Sequence, residues 1–255
     1  MPSINEQELR IHHGAIVYDA SRLRKPQEPV FSRSYWTARN ALREVAGGRG
    51  SVCFLSTEDG SWVLRHYRRG GLIASIAADR YLWLGAARTR SIAEWRLLAK
   101  LQGMGLPVPA PIAAGYVRSG LTYRADLITA ELPAAKTLAD AITGAVLPAD
   151  HWRSVGQTIA AFHRHGVQHA DLNAHNILLS SPASGVAGAA PVVHLIDFDR
   201  GRIRARGAWE QRVLARLKRS LEKISGQRDG VKFGAEEWQW LLEGTEAIGD
   251  RLQAT

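Results

Sequence analysis

The apolar positions of this chain follow a short period in its first half and a helical period in its second. Val52-Cys53-Phe54-Leu55 and Trp62-Val63-Leu64 are short apolar runs on either side of Glu58-Asp59-Gly60. Two such runs around an Asp-Gly turn predict a β-hairpin. Between Arg90 and Gln102 the rhythm changes. Ile92, Trp95, Leu98 and Leu101 recur at helical spacing, and Gly103 and Gly105 end the segment. Pro107, Pro109 and Pro111 then force an extended stretch, because each proline disfavours helix at the residue before it. Tyr116–Val117 and Tyr123–Ala130 predict a further strand pair around Ser119-Gly120. Residues 1–30 contain Pro26 and Pro29 and little periodicity, which predicts an irregular start.

Beyond Leu132-Pro133 the helical pattern dominates. Asp150–His165 predicts a long helix whose buried stripe is Trp152, Val155, Ile159 and Phe162. Two short strands follow, Asn176–Leu179 and Val192–Ile196, joined by the Gly/Ala/Ser-rich segment Ser180–Ala190. Trp209–Ile224 is amphipathic: Val213, Leu217, Leu221 and Ile224 face inward while Arg212, Arg216 and Arg219 point away. No internal repeat interrupts the order. The pattern predicts an α+β chain with a small β-rich half over residues 1–130, a hinge at 131–136, and a mostly helical half over 137–255.

Length and composition narrow the class. At 255 residues the chain can bury a substantial core, and its 45% hydrophobic and 22% charged content excludes disorder as the default. A single cysteine, Cys53, rules out an intramolecular disulfide and reads as a small core residue in a reducing compartment. The first residues lack a basic region followed by an apolar run, and no window resembles a membrane span. These features predict a cytoplasmic protein. The excess of 33 Lys+Arg over 24 Asp+Glu, a formal charge of +9, predicts attraction to anions. Nine basic residues fall between Arg200 and Lys223. Only Trp209 interleaves an aromatic ring with that basic run, so no nucleic-acid partner is expected.

Chemistry concentrates in His169-Ala170-Asp171-Leu172-Asn173-Ala174-His175-Asn176, and again in His194-Leu195-Ile196-Asp197-Phe198-Asp199. Phosphoryl transfer from ATP requires a carboxylate that orients the attacking hydroxyl and accepts its proton. It also requires oxygen ligands that hold Mg²⁺ against the phosphates. A loop Asp, an Asn five residues on, and an Asp closing the next strand supply those parts: Asp171, Asn176 and Asp197.

This constellation resembles the catalytic core of the protein-kinase superfamily. The resemblance implies a two-lobed protein-kinase-like fold formed by residues 1–255 as one domain, with ATP and Mg²⁺ bound. It makes Asp171 the catalytic base, Asn176 and Asp197 the metal ligands, and His169 the brace of the loop. It also implies nucleotide contacts from Gly48 and Gly50, from Arg65 in place of the usual lysine, and from Glu94 as partner to Arg65. The pattern departs from protein kinases elsewhere. Asp199 stands where a glycine is usual, no Ala-Pro-Glu follows, and only about ten residues separate Asp197 from the next predicted helix, too few for a long activation segment. Those departures point to a small or lipid-linked acceptor.

Trp62-Val63-Leu64-Arg65-His66-Tyr67-Arg68-Arg69-Gly70-Gly71 and Thr89-Arg90-x-x-x-Glu94, taken with the two catalytic motifs, are similar to the lipopolysaccharide kinase family. Within it they resemble the enzymes acting on 3-deoxy-D-manno-octulosonic acid (Kdo). That similarity implies transfer of the ATP γ-phosphate to the Kdo 4-hydroxyl of a Kdo-lipid A precursor. The setting it implies is the cytoplasmic side of the bacterial inner membrane, with peripheral attachment to an anionic surface. Arg68, Arg69 and the Arg200–Arg206 run are candidate acceptor or membrane contacts. The alternatives are a heptose kinase of the same family, a small protein kinase, or a non-catalytic pseudokinase. The presence of Asp171, Asn176 and Asp197 together argues against the last.

Overall fold

A computed structural model of the chain describes residues 4–43, 52–68, 79–181, 190–227 and 230–247. Where the sequence predicts an irregular start, the chain forms a hairpin: β1 (Glu6–Ile11) pairs antiparallel with β2 (Gly14–Asp19). The turn passes through His13 at φ 64. The expectation fails because no residue of β1 is buried, so no alternation marks it in the sequence. Backbone pairing to β2 holds it instead.

α1 (Arg33–Thr37) sets Trp36 into the core, its indole Nε1 donating to the Val30 carbonyl at 2.7 Å. β3 (Leu42–Arg43), β4 (Val52–Thr57) and β5 (Gly60–His66) follow, with Gly60 at φ 125 in the predicted hairpin turn. β6 (Tyr81–Leu82) precedes the predicted helix, α2 (Arg90–Gly103), and then β7 (Pro111–Ser119) and β8 (Thr122–Ala130). The sheet runs β1-β2-β7-β8-β5-β4-β3, with β6 also on β8. Ile16, Leu55, Trp62, Leu64, Ile112 and Ile128 fill its buried face. Ile92, Trp95, Leu98 and Leu101 are the buried stripe of α2, as their spacing predicts, and Ser91 Oγ donates to the Gly115 carbonyl at 2.8 Å.

The helical part begins with β9 (Lys136–Thr137) and α3 (Leu138–Gly144), whose N-terminus is capped by Thr137 Oγ1 accepting from the Asp140 amide at 3.0 Å. α4 (Ala149–Arg164) buries Trp152, Val155, Ile159 and Phe162. β10 (Val167–Gln168) pairs with β13 (Arg202–Ile203), while β12 (Val192–Leu195), β11 (Ile177–Ser180) and β9 form a second small sheet. Asn176 closes a one-turn 3₁₀ helix, Ala174–Asn176, rather than opening the strand as its sequence neighbours predict. α5 (Trp209–Gln227) and α6 (Ala235–Glu246) end the described chain.

Packing divides the chain into two units. One holds Met1–Met104 and Pro109–Glu131; the other holds Gly105–Val108 and Leu132–Thr255. The short piece Gly105–Val108 joins the helical unit because the Leu195 amide donates to the Pro107 carbonyl at 3.1 Å.

Neither α3 nor α6 is marked by a strong apolar period. α6 buries only Glu237, Leu241 and Gly244, and docks on α4 by close backbone approach. A Cβ on Gly156 would lie 2.0 Å from the Leu241 carbonyl oxygen, and one on Gly244 2.1 Å from that of Arg153. Gly156→Ala should therefore destabilise the protein by about 1–3 kcal/mol through overpacking. Gly144→Ala, with nothing within 4 Å of its Cβ position, should not. Thermal melts of the two variants check the contrast.

Candidate active site

The candidate residues fall into two groups, one in each unit. In the sheet unit, Arg65 sits on β5 and Glu94 on α2. The Arg65 guanidinium is ion-paired with the Glu94 carboxylate, as the sequence anticipates. A third member was not anticipated: the Tyr67 hydroxyl donates to the same Glu94 oxygen and accepts from Arg65 at 3.0 Å. The Arg65 guanidinium also lies over the Tyr67 ring, 4.7 Å from its centroid. Burial, reinforced by the Glu94 charge, pushes the Tyr67 hydroxyl well above its ordinary pKa, so it remains a donor. The Glu94 side chain is only 2% exposed and that of Arg65 21%. This charge pair is thus anchored from inside, with the cationic end nearer solvent. Gly48 and Gly50 lie outside the described residues, as does Arg69. Arg68 is exposed.

In the helical unit the catalytic-loop candidates converge. His169 is buried, and its Nδ1 accepts from the Asp171 amide at 3.1 Å while Nε2 donates to the Ile196 carbonyl at 2.9 Å. Those partners require the neutral ring, and burial lowers the His169 pKa in the same sense. The ring packs on Phe198, which stacks in turn on Phe162, with centroid separations of 4.7 and 5.6 Å. His169 therefore braces the loop and ties it to the strand end that carries Asp197.

The Asp171 carbonyl accepts from both Asn173 Nδ2 and Asn176 Nδ2 at 2.9 Å, which fixes the backbone beneath the carboxylate. With its amide nitrogen so used, Asn176 keeps its carbonyl oxygen for a ligand. Asp197 sits just past β12 at φ 63, a left-handed geometry that Asp tolerates better than most residues. Among the described residues no group of three or more His, Cys, Asp or Glu side chains could hold a metal. An Asn–Asp pair nonetheless suits a hard divalent cation that takes one or two protein oxygens and completes its shell with phosphate and water.

One contact at Asp171 could not be read from the sequence. Arg216 on α5 is ion-paired with Asp171 Oδ1, and its Nε donates to that oxygen at 2.6 Å. The pair is half-exposed, at 50% for Arg216 and 46% for Asp171. Sequence periodicity places Arg216 on the outer side of its helix but says nothing of a partner 45 residues earlier. The Arg200–Arg206 run is largely engaged within the protein. Arg206 forks onto Glu210 through two bonds of 3.0 Å, Arg204 donates to Gln168 Oε1 at 3.2 Å, and Arg200 faces Asp199 at 3.9 Å.

The lipopolysaccharide kinase (Kdo/WaaP) family model matches residues 33–244. A protein of Xylella fastidiosa (strain 9a5c) named 3-deoxy-D-manno-octulosonic acid kinase is 47% identical over 217 residues, 84% of this chain and 83% of that protein. A protein of the same name from Stenotrophomonas maltophilia (strain R551-3) is 48% identical over 219 residues, with the same coverage. Among solved structures, WaaP in complex with acyl carrier protein superposes with TM-score 0.53 at 19% identity, covering 90% of this chain and 93% of that one. The Rio2 kinase–ADP/Mg²⁺–phosphoaspartate complex from Chaetomium thermophilum gives 0.52 at 18% identity, over 87% and 71%. Those two likenesses establish the kinase-like fold.

The Arg65–Tyr67–Glu94 cluster predicts coupled losses. Arg65→Ala and Glu94→Gln should each weaken ATP turnover, with a combined loss smaller than the sum, because each removes the same unit. Arg65→Lys should keep substantial function as a point charge without the fork. Tyr67→Phe should cost about 1–3 kcal/mol of stability by depriving a buried carboxylate of a donor. A double-mutant cycle on ATP turnover and a thermal melt check these outcomes; full additivity would show that Arg65 and Glu94 act separately.

Proposed function

The chain belongs to the lipopolysaccharide kinase (Kdo/WaaP) family, and on that premise we propose that it transfers the ATP γ-phosphoryl group to the 4-hydroxyl of Kdo on a Kdo-lipid A precursor. The observation that carries the chemistry is the anchored catalytic loop, in which the Asp171 backbone is held by His169, Asn173 and Asn176 while its carboxylate stays half-exposed. The acceptor assignment rests on relatives of 47–48% identity that are named for that sugar.

In this reading Asp171 accepts the proton of the acceptor hydroxyl through Oδ2, since Oδ1 is engaged by Arg216. The acceptor oxygen forms its bond to the γ-phosphorus as the bond to the β–γ bridging oxygen breaks, releasing ADP. Asn176 and Asp197 would hold Mg²⁺, which would supply charge neutralisation to the phosphates. Arg65, positioned by Glu94 and Tyr67, contacts the nucleotide phosphates with a planar fork. The enzyme works on a lipid-linked substrate at the cytoplasmic face of the inner membrane. No helix among the described residues is long and apolar enough to cross a membrane. Peripheral attachment of the +9 chain is favoured by about 1 kcal/mol per basic residue near an anionic leaflet.

Transfer of labelled phosphate from ATP to a Kdo-lipid A precursor, a heptosylated core or a protein acceptor tests the assignment; labelling of either of the latter in place of Kdo would overturn it. Asp171→Asn should fold and lose transfer by roughly 10²–10⁴-fold, the share of a positioned general base. Asp197→Ala should abolish Mg²⁺-dependent turnover and weaken metal–nucleotide binding more than acceptor binding, measurable by titration. An unchanged metal–ATP affinity would move the metal role to other residues.

A further inference from the structure

We infer that α5 carries the binding site for the acceptor's anionic groups, a cationic stripe of Arg212, Arg216, Arg219 and Lys223 that Arg216 joins to Asp171. The inference rests on the proposed Kdo-lipid acceptor, whose sugar acid bears a carboxylate and whose lipid A part bears phosphates. At about 100° per residue the four side chains fall within about 60° of arc and run about 16 Å along the helix. The stripe flanks the face that buries Val213, Leu217 and Leu221. Two contacts place that flank against the catalytic loop: Arg216 with Asp171, and Ser220 Oγ accepting from the Ala174 amide at 3.2 Å.

Apart from the Arg216–Asp171 pair, the stripe lacks compensation. Arg212, Arg219 and Lys223 are exposed and form no ion pair among the described residues, whereas the neighbouring Arg206 is locked onto Glu210. The acidic residues of α5 lie elsewhere around it, Glu210 with Arg206 and Glu222 facing Lys218 at 3.9 Å. Like charges at i and i+4, as in Arg212–Arg216 and Arg219–Lys223, destabilise a helix unless an anion is bound.

Arg216 gives the stripe its link to chemistry. It meets Asp171 through Nε and one terminal nitrogen, which leaves the other terminal nitrogen for a second anion. A carboxylate on the same sugar ring as the reacting hydroxyl is the anion such a bridge would read. Arg216 is thus a specificity-determining residue that also positions the base, and Arg212, Arg219 and Lys223 receive the phosphates beyond.

Lipid headgroups offer similar anions, so the experiment separates the two sources. Phosphoryl transfer is measured with a deacylated, water-soluble acceptor that retains the carboxylate and phosphates, with its carboxyl-reduced derivative, and with intact acceptor in anionic vesicles. R212E/R219E should raise the KM for the deacylated acceptor by at least about tenfold while the KM for ATP moves less than about threefold. Wild-type enzyme should prefer the carboxylate acceptor to the reduced one by about 10–100-fold, R216Q should erase that preference, and R216K should restore part of it. An unchanged KM, or a loss confined to the vesicle substrate, would overturn the acceptor site. Equal losses on both soluble acceptors in R216Q would reduce Arg216 to a brace. Failure of wild-type enzyme to phosphorylate any Kdo acceptor would overturn the functional reading itself, and the stripe's assigned ligand with it.

Discussion

The helical unit's site depends on one buried neutral imidazole. His169 accepts from the Asp171 amide with one ring nitrogen and donates to the Ile196 carbonyl with the other, so a single side chain sets the distance between two segments 27 residues apart. That pair of bonds requires the neutral ring, and burial lowers the His169 pKa in the same sense. Phe198 packs against the ring and is itself stacked on Phe162, which ties the imidazole into the apolar interior. The base candidate and the metal-ligand candidate are therefore parts of one packed object.

The charge pairs Arg65–Glu94 and Asp171–Arg216 differ in how they are held. Arg65–Glu94 is anchored by an almost fully buried carboxylate with a tyrosine hydroxyl as second donor, so breaking it strands a buried charge. Asp171–Arg216 is half-exposed on both sides, where water screens the attraction and the pair can exchange partners at small cost.

The chain between Asp197 and α5 shows how a short connection redirects a kinase-like fold. Residues 198–208 contain the two-residue strand β13 and several arginines, most of them paired within the protein. This brings α5 directly against the catalytic loop through Arg216 and Ser220. Under the proposed acceptor site, the helix that follows the second catalytic motif would form one of its walls, an arrangement that fits a lipid-linked sugar better than an extended peptide.

Much of this was legible in the sequence. The Asp59-Gly60 hairpin, α2, α4 and α5 follow from local chemistry and period, because a buried stripe at fixed spacing leaves the same trace whatever it packs against. The loop constellation was legible as well, since Asp171, Asn176 and Asp197 lie near one another along the chain. The β1 hairpin and α6 left little trace, the first because its outer strand buries nothing, the second because it docks by glycine backbone contact rather than apolar side chains. Tyr67 and Arg216 were equally silent. Each is an ordinary residue of its element until tertiary structure brings a carboxylate beside it, and partners 27 and 45 residues away in sequence carry no local signal. Sequence alone determined which chemical groups the protein possesses and on which elements they ride. Only the packing of those elements decided which charges meet, because an ion pair is a property of distance in space.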